Sequence, residues 1–272
     1  MIILLIHLIL SAALTYGLVS ITEPFAGFWQ VAVIVGFSLA SLFVIALLLV
    51  IVFIMVFLVS GKNNTKCPIK HGIMNLYSRY VFNIIMRVKL KIIGKENIPS
   101  HPNFVVYSNH IEYSDPVYLK QAFHQYPVAF ISKEVLWKNK LVALVLNGIG
   151  CIPISPGADR TALNSIVEGI KLVKSGQPMG IFPEGKRTYS HNMIPFKPGA
   201  FKLATKAEAD IVPVCLYNMH EVYRKGRIKI AKVSLVILPA IKASDYKEVD
   251  TQVIADKVFA SIDQCLKEMS NS

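Results

Sequence analysis

The chain has 272 residues, 53% of them apolar, and 29 Lys and Arg against 17 Asp and Glu give a formal charge of +12. Residues 1–60 hold no Lys or Arg and one acid, Glu23, so residues 61–272 set 29 basic residues against 16 acidic ones, a formal +13. This division excludes a uniformly polar chain and separates an oily end from a basic body. Cys67, Cys151, Cys215 and Cys265 show no C-x-x-C or zinc-ligand spacing, and the seven histidines include no H-E-x-x-H, so no metal is implied.

Residues 2–21 reach the roughly 20 residues that a membrane-spanning helix needs, and residues 28–59 make a longer run of about 48 Å if helical. Two spans, at 2–21 and about 30–59, joined by a loop at 22–27, form a hairpin anchor over residues 1–60. The second run outlasts a hydrocarbon core of about 30 Å, so it tilts, starts late or continues past the interface. A cleaved signal peptide is the competing reading for the first run. The missing positive n-region and the apolar run that comes at once after it favour the anchor. Lys62, Lys66, Lys70, Arg79 and Arg87 crowd the exit of the second span, while the loop has no basic residue, which places the body in the cytoplasm. His7 lies near the chain end and is expected to reach the interface neutral.

At about 69–87, Ile69, Ile73, Leu76, Tyr77, Tyr80, Val81, Ile84 and Ile85 recur at helical spacing among basic residues, predicting an amphipathic helix. It lies either on the bilayer surface or on the domain with its apolar stripe buried. From Val88 the period changes to two, and apolar runs then alternate with helical patterns. Strands are predicted at 104–108, 128–132, 151–155, 179–182, 211–217 and 228–238, with helices at 116–125, 138–147, 158–174, 199–208 and 251–268. This alternation predicts an α/β layered domain, a largely parallel sheet flanked by helices, over residues 61–272. A reduced compartment would keep the four thiols free.

Two short runs carry chemistry. In Ser108-Asn109-His110-Ile111-Glu112-Tyr113-Ser114-Asp115-Pro116, a predicted strand delivers a base and a carboxylate into a turn. Five residues apart on one helix they would diverge by about 140°, so a turn must intervene, and Asp115 at an N-cap with Pro116 after it supplies one. Asp115 then accepts from one nitrogen of His110, and the other nitrogen is free to take a proton from a hydroxyl. In Ile181-Phe182-Pro183-Glu184-Gly185-Lys186-Arg187-Thr188, Gly185 lets backbone approach a ligand and Arg187 offers a planar fork suited to phosphate. Glu184 either holds Arg187 or the turn in place, or accepts from a substrate hydroxyl. There is no G-x-S-x-G elbow, no G-x-G-x-x-G after a strand and no P-loop, which argues against a serine hydrolase, a dinucleotide enzyme and an NTPase.

Together the two runs resemble the glycerolipid acyltransferases, above all the bacterial 1-acyl-sn-glycerol-3-phosphate acyltransferases. Their first motif reads Asn-His-x4-Asp and their third Phe-Pro-Glu-Gly-x-Arg-Ser. The resemblance covers roughly residues 75 to 240. It implies a membrane enzyme that moves an acyl group from acyl-CoA or acyl-acyl carrier protein to the sn-2 hydroxyl of lysophosphatidate, with these thioesters as substrates and no cofactor. Membrane lipids are the implied partners, and a bacterial cell membrane the implied location. His110 and Asp115 are the implied catalytic pair, and Glu184, Gly185, Lys186 and Arg187 the acceptor turn. Lys133, in a segment Lys133-Glu134-Val135-Leu136 like a Lys-rich one in the family, meets a substrate phosphate or merely starts a solvated helix. The segment from Phe196 to Lys202 matches the family's stretch just beyond the third motif, where Gly199 permits a tight helix start. Ile211-Val212-Pro213-Val214 matches the fourth motif, as an acyl-chain wall or a plain buried strand.

One position departs from the family. Its second motif ends in an Arg that contributes to acceptor binding, and this chain has Pro156 there. Arg160, at the start of a predicted helix, is placed to reach the same phosphate, and Lys186 in place of the usual Thr adds charge. Another lysolipid acceptor is therefore the runner-up. A non-catalytic lipid-binding protein or tether also fits the basic body, but has no need of the His/Asp pair with Arg187. No nucleic-acid module is visible, so no nucleic-acid partner is expected. Acyl length and oligomeric state are not written in local patterns.

Overall fold

The computed structural model describes residues 2–20, 28–60, 64–155 and 160–271, without the side chains of 28–30 and 160. The expected hairpin loop at 22–27, Lys62, Pro156 and the Arg160 side chain lie outside the described residues. The chain divides into two compact units, Met1–Gly61 and Lys62–Ser272.

The first unit holds α1 (Ile2–Ser20) and α2 (Phe28–Ser60). Both are long and apolar enough to cross a membrane. They leave Leu5, Leu39, Phe43 and Leu47 exposed, where a soluble core would bury them. Over its 33 residues α2 rises about 50 Å, more than the bilayer core requires. His7 is not at a free end. It is buried, and its Nε2 lies 2.9 Å from the Leu42 carbonyl oxygen of α2, because a polar ring among apolar helices is stabilised only by finding a partner.

The second unit is an α/β layer. Its strands are β1 (Val88–Ile93), β2 (Phe104–Ser108), β3 (Ala129–Lys133), β4 (Ile152–Ile154), β5 (Met179–Ile181), β6 (Asp210–Tyr217) and β7 (Ala231–Ile237). Among the described residues they form one seven-stranded sheet in the order β1-β7-β6-β2-β5-β3-β4. All pairings are parallel except β6 with β7. Val105, Val106, Ile211, Val212 and Leu216 are fully buried, as central parallel strands covered on both faces require. Each such side chain contributes roughly 1.5–3 kcal/mol. Ile211–Val214 is thus a buried strand within the sheet.

The covering helices are α4 (Asp115–Ala122), α5 (Lys140–Gly148), α6 (Arg160–Lys174), α7 (Lys202–Ala207) and α8 (Thr251–Ser270). On α8, Ile254, Val258, Ile262 and Leu266 recur every fourth residue and are buried. β7 starts at Ala231, later than expected, because Arg227 holds residues 227–229 in a loop, with its guanidinium donating to the carbonyls of Met86, Arg87 and Lys229.

The expected amphipathic helix is α3 (Pro68–Ser78), continued as a π-helical turn over Arg79–Ile85. Of the two settings expected for it, burial of its apolar stripe against the domain is not the one found. His71, Asn75 and Ser78, on one face at i, i+4 and i+7, are buried. His71 Nδ1 meets Lys120 Nζ at 2.5 Å, and Gln121 donates to Ser78, so α3 docks on α4 through polar groups. Burial, with the nearby Lys120 charge, lowers the His71 pKa to about 3, so the imidazole is neutral and can accept from the ammonium. Ile69, Val81 and Ile85 remain exposed.

Candidate active site

β2 and β5 are neighbours with Tyr107 paired to Ile181, so His110 and Glu184 each stand three residues beyond matched positions. Both turns therefore leave the same carboxyl edge of the sheet, where open α/β sheets bind ligands. Asn109 fixes the first turn: its Nδ2 donates to the Leu216 carbonyl at 3.0 Å, and its Oδ1 accepts from Leu216 N at 2.8 Å. The side chain thus extends the β2–β6 ladder by one rung.

His110 Nδ1 lies 2.9 Å from Asp115 Oδ2, and the same oxygen accepts from Ile111 N at 2.6 Å and Glu112 N at 2.8 Å. A carboxylate that is acceptor-only assigns the proton to Nδ1 and leaves the Nε2 lone pair able to accept a proton. Asp115 is wholly buried, and burial raises its pKa against the pull of His110 and the two N–H groups. Asp115 does not cap the helix as expected: α4 begins at Asp115 itself, and Ser114 before it makes no side-chain capping bond. The carboxylate turns back into the loop because three converging donors there stabilise it more than one helix-end N–H would. The His110 ring stacks on Phe182, with centroids 4.1 Å apart, and Phe130 lies behind Phe182 at 6.5 Å. Gly180 makes room for this stack, since a Cβ there would sit 2.4 Å from the Phe130 ring.

The second turn is joined to the first by its backbone. Thr188 N donates to the His110 carbonyl at 2.9 Å and Tyr189 N to that of Ile111 at 3.2 Å. Glu184 is buried, and its carboxylate accepts from His110 N at 2.9 Å and Ile194 N at 3.3 Å. It therefore holds the two turns together and does not grip Arg187. Burial pushes its pKa up to about 7. Gly185 has φ +73°, a backbone conformation that favours glycine, whereas the Lys197 Nζ that a Cβ would meet at 2.9 Å is a flexible side-chain end that can move aside. Gly199, by contrast, has open space where a Cβ would stand, and its expected conformational role is not required.

Arg187 Cζ lies 3.4 Å from the centroid of the Tyr113 ring and 5.8 Å from that of Tyr189. The guanidinium face is occupied by Tyr113, which leaves the N–H edges for an anion. His110, Asp115, Glu184, Gly185 and Arg187 thus converge. Lys186 is exposed on the same turn, and Lys133 is exposed at the end of β3, two strands from β2. Arg160 opens α6, but its side chain is not described. Glu112 and Tyr113 were not singled out by sequence as site residues. Glu112 is buried, and burial raises its pKa in a neighbourhood shared with Asp115, Arg187 and His220. Their one sequence signal is their place between His110 and Asp115. Among the described residues no three His, Cys, Asp or Glu gather as a metal site, and the four cysteines are free.

A histidine whose Nδ1 faces a buried carboxylate stands with an arginine at the carboxyl edge of a largely parallel sheet, an arrangement chemically able to serve acyl transfer to a hydroxyl. The Acyltransferase family model matches residues 89–217. The 1-acyl-sn-glycerol-3-phosphate acyltransferase of Borreliella burgdorferi is 32% identical over 182 residues, covering 65% of this chain and 72% of that one. The enzyme of the same name from Bacillus subtilis is 28% identical over 189 residues, covering 68% and 90%. In fold, the chain resembles the crystal structure of the 1-acyl-sn-glycerophosphate (LPA) acyltransferase, PlsC, from Thermotoga maritima. The TM-score is 0.63 at 22% identity, over 74% of this chain and 80% of that one. The chain belongs to the acyltransferase family, among its PlsC-type glycerolipid enzymes.

Proposed function

We propose that the protein transfers a fatty acyl group from acyl-CoA or acyl-acyl carrier protein to the sn-2 hydroxyl of lysophosphatidate, giving phosphatidate for phospholipid synthesis. The observation that carries this reading is the 2.9 Å contact between His110 Nδ1 and Asp115, joined through Tyr113 to Arg187. His110 Nε2 takes the hydroxyl proton as the oxygen attacks the thioester carbonyl. Asp115 stabilises the imidazolium without taking the proton itself. The C–S bond then breaks, the departing sulfur takes the proton from His110 and leaves as the thiol, and no acyl-enzyme is needed. Arg187, with Lys186, Lys133 and Arg160 as further cations, binds the acceptor phosphate, and Glu184 and Gly185 shape its turn. The curated relatives' names support lysophosphatidate as acceptor.

In this reading α1 and α2 span a bacterial cell membrane as a hairpin, and residues 61–272 work on its cytoplasmic side. The test is purified full-length protein supplied with labelled acyl-CoA or acyl-acyl carrier protein against a panel of lysolipids. Phosphatidate is the expected product, lost in His110→Ala. Product from another lysolipid alone would reassign the acceptor, and no product from any pair would sink the reading.

A further inference from the structure

The sheet edge that bears His110 also bears an exposed surface that the chemistry does not use. β1 and β7 run opposite to the other five strands, so their first residues, Val88 and Ala231, lie at the edge where β2 and β5 end. The loop leading into β7 exposes Ile228 by 82% and Ile230 by 53%. Arg224, Lys225, Arg227 and Lys229 stand among them, and no acid occurs between Glu221 and Asp245.

The loop is held in place. Besides the three carbonyl bonds of Arg227, Ala231 N donates to the Arg87 carbonyl at 3.1 Å. This seats the loop beside the end of the π turn, where Val81 and Ile85 are exposed. Ile230 and Arg87 line one shallow groove of about 390 Å³. Tyr223, immediately before the loop, neighbours Ser114 and Asp115 of the catalytic turn.

A single exposed isoleucine means little, but apolar tips set in charge of one sign, beside a site for lipid, are specific. Arg224 pairs with Glu221 at 3.1 Å, which leaves Lys225 and Lys229 as the loop's outward charges. Ammonium groups at phosphate depth and isoleucines at the acyl boundary fit an anionic bilayer surface. The exposed apolar edge of α3 and its π turn extends the same chemistry, since that helix spends its polar face on α4.

We propose that the 224–230 loop and the exposed edge of the π turn dock the catalytic unit onto an anionic lipid surface, with the His110 edge toward the lipid. The proposal rests on α1 and α2 being membrane spans. It brings a membrane-held lipid acceptor and the His110 edge to the same surface, and it makes headgroup charge a control on docking.

The test uses full-length protein in nanodiscs, in a Cys67→Ser background, with Ile228→Cys carrying a polarity-sensitive fluorophore. Lys174→Cys, at the end of α6, is the control. Adding phosphatidylglycerol to phosphatidylcholine discs is expected to blue-shift the label at 228 and to expose it to quenching by spin-labelled lipid, with position 174 unchanged. Lys225→Gln with Lys229→Gln should weaken the docking equilibrium by about fivefold per charge. Solvent-like emission at 228 in both discs would overturn the proposal, as would a shift indifferent to phosphatidylglycerol and to the two lysines. A chain that stays out of the discs would sink the membrane reading and this proposal with it. Since no step reads acyl transfer, failure to make phosphatidate is a separate result.

Discussion

Glu184 accepts the backbone N–H of His110 at 2.9 Å, so the acid of the glycine-bearing turn supports the histidine of the other turn directly. Its second oxygen holds Ile194 N, and both oxygens are therefore committed to backbone. The carboxylate is a strut between two loops, placed where a displacement would move the imidazole.

Burial raises the Glu184 pKa from 4.5 to about 7, which has a definite sign for stability. Below pH 4.5 both folded and unfolded forms are protonated and the folded state keeps its full advantage. As pH rises toward 7 the unfolded chain ionises freely while the folded one must ionise a buried acid, so stability falls across that window. Glu184→Gln should flatten this fall. Thermal melts of both proteins from acid to neutral pH check it, and parallel curves would refute the assignment.

Asp115→Asn keeps an oxygen for Ile111 N and Glu112 N but removes the charge that steadies His110. A loss of roughly 10³–10⁴ in kcat is expected, by analogy with removing the orienting carboxylate from a catalytic triad. His110→Ala should be at least as inactive with a smaller change in Tm, because Asp115 retains its backbone donors. Initial rates read beside melting curves separate the two effects.

In the proposed mechanism Tyr113 acts as a positioning residue through its ring contact with Arg187. An exposed cation–π contact is worth roughly 0.5–1 kcal/mol, so Tyr113→Leu should raise KM for the acceptor about two- to fivefold with kcat little changed. Tyr113→Phe should restore the value, since the ring face is kept. An equal loss with Phe and Leu would remove the ring from the account.

Gly185 of the motif turn and Gly199 of the segment beyond it differ. Gly185→Ala must hold φ +73° and push aside Lys197 Nζ, at a cost of about 1–2 kcal/mol for the left-handed backbone alone. Gly199→Ala meets open space and should leave Tm unchanged or slightly higher. Melting temperatures of the pair settle the contrast.

Much of this was legible in the one-dimensional pattern. The switch from period two to helical spacing located the strands and domain helices within a few residues, and the His110 and Glu184 runs marked the site. Local chemistry could not assign Glu184, because its partner, His110 N, is 74 positions away. Nor could it orient α3, whose apolar stripe was as compatible with a buried face as with an exposed one until His71 and Ser78 found α4.

By itself the sequence determined an oily end, a basic α/β body and two motif-bearing turns, since hydrophobic period and turn chemistry act over a few residues. Only the tertiary structure decided that β2 and β5 lie side by side, that Asp115 gathers three donors, and that Tyr113 covers Arg187. Those outcomes depend on strand order and register, which come from the packing of distant segments around one core.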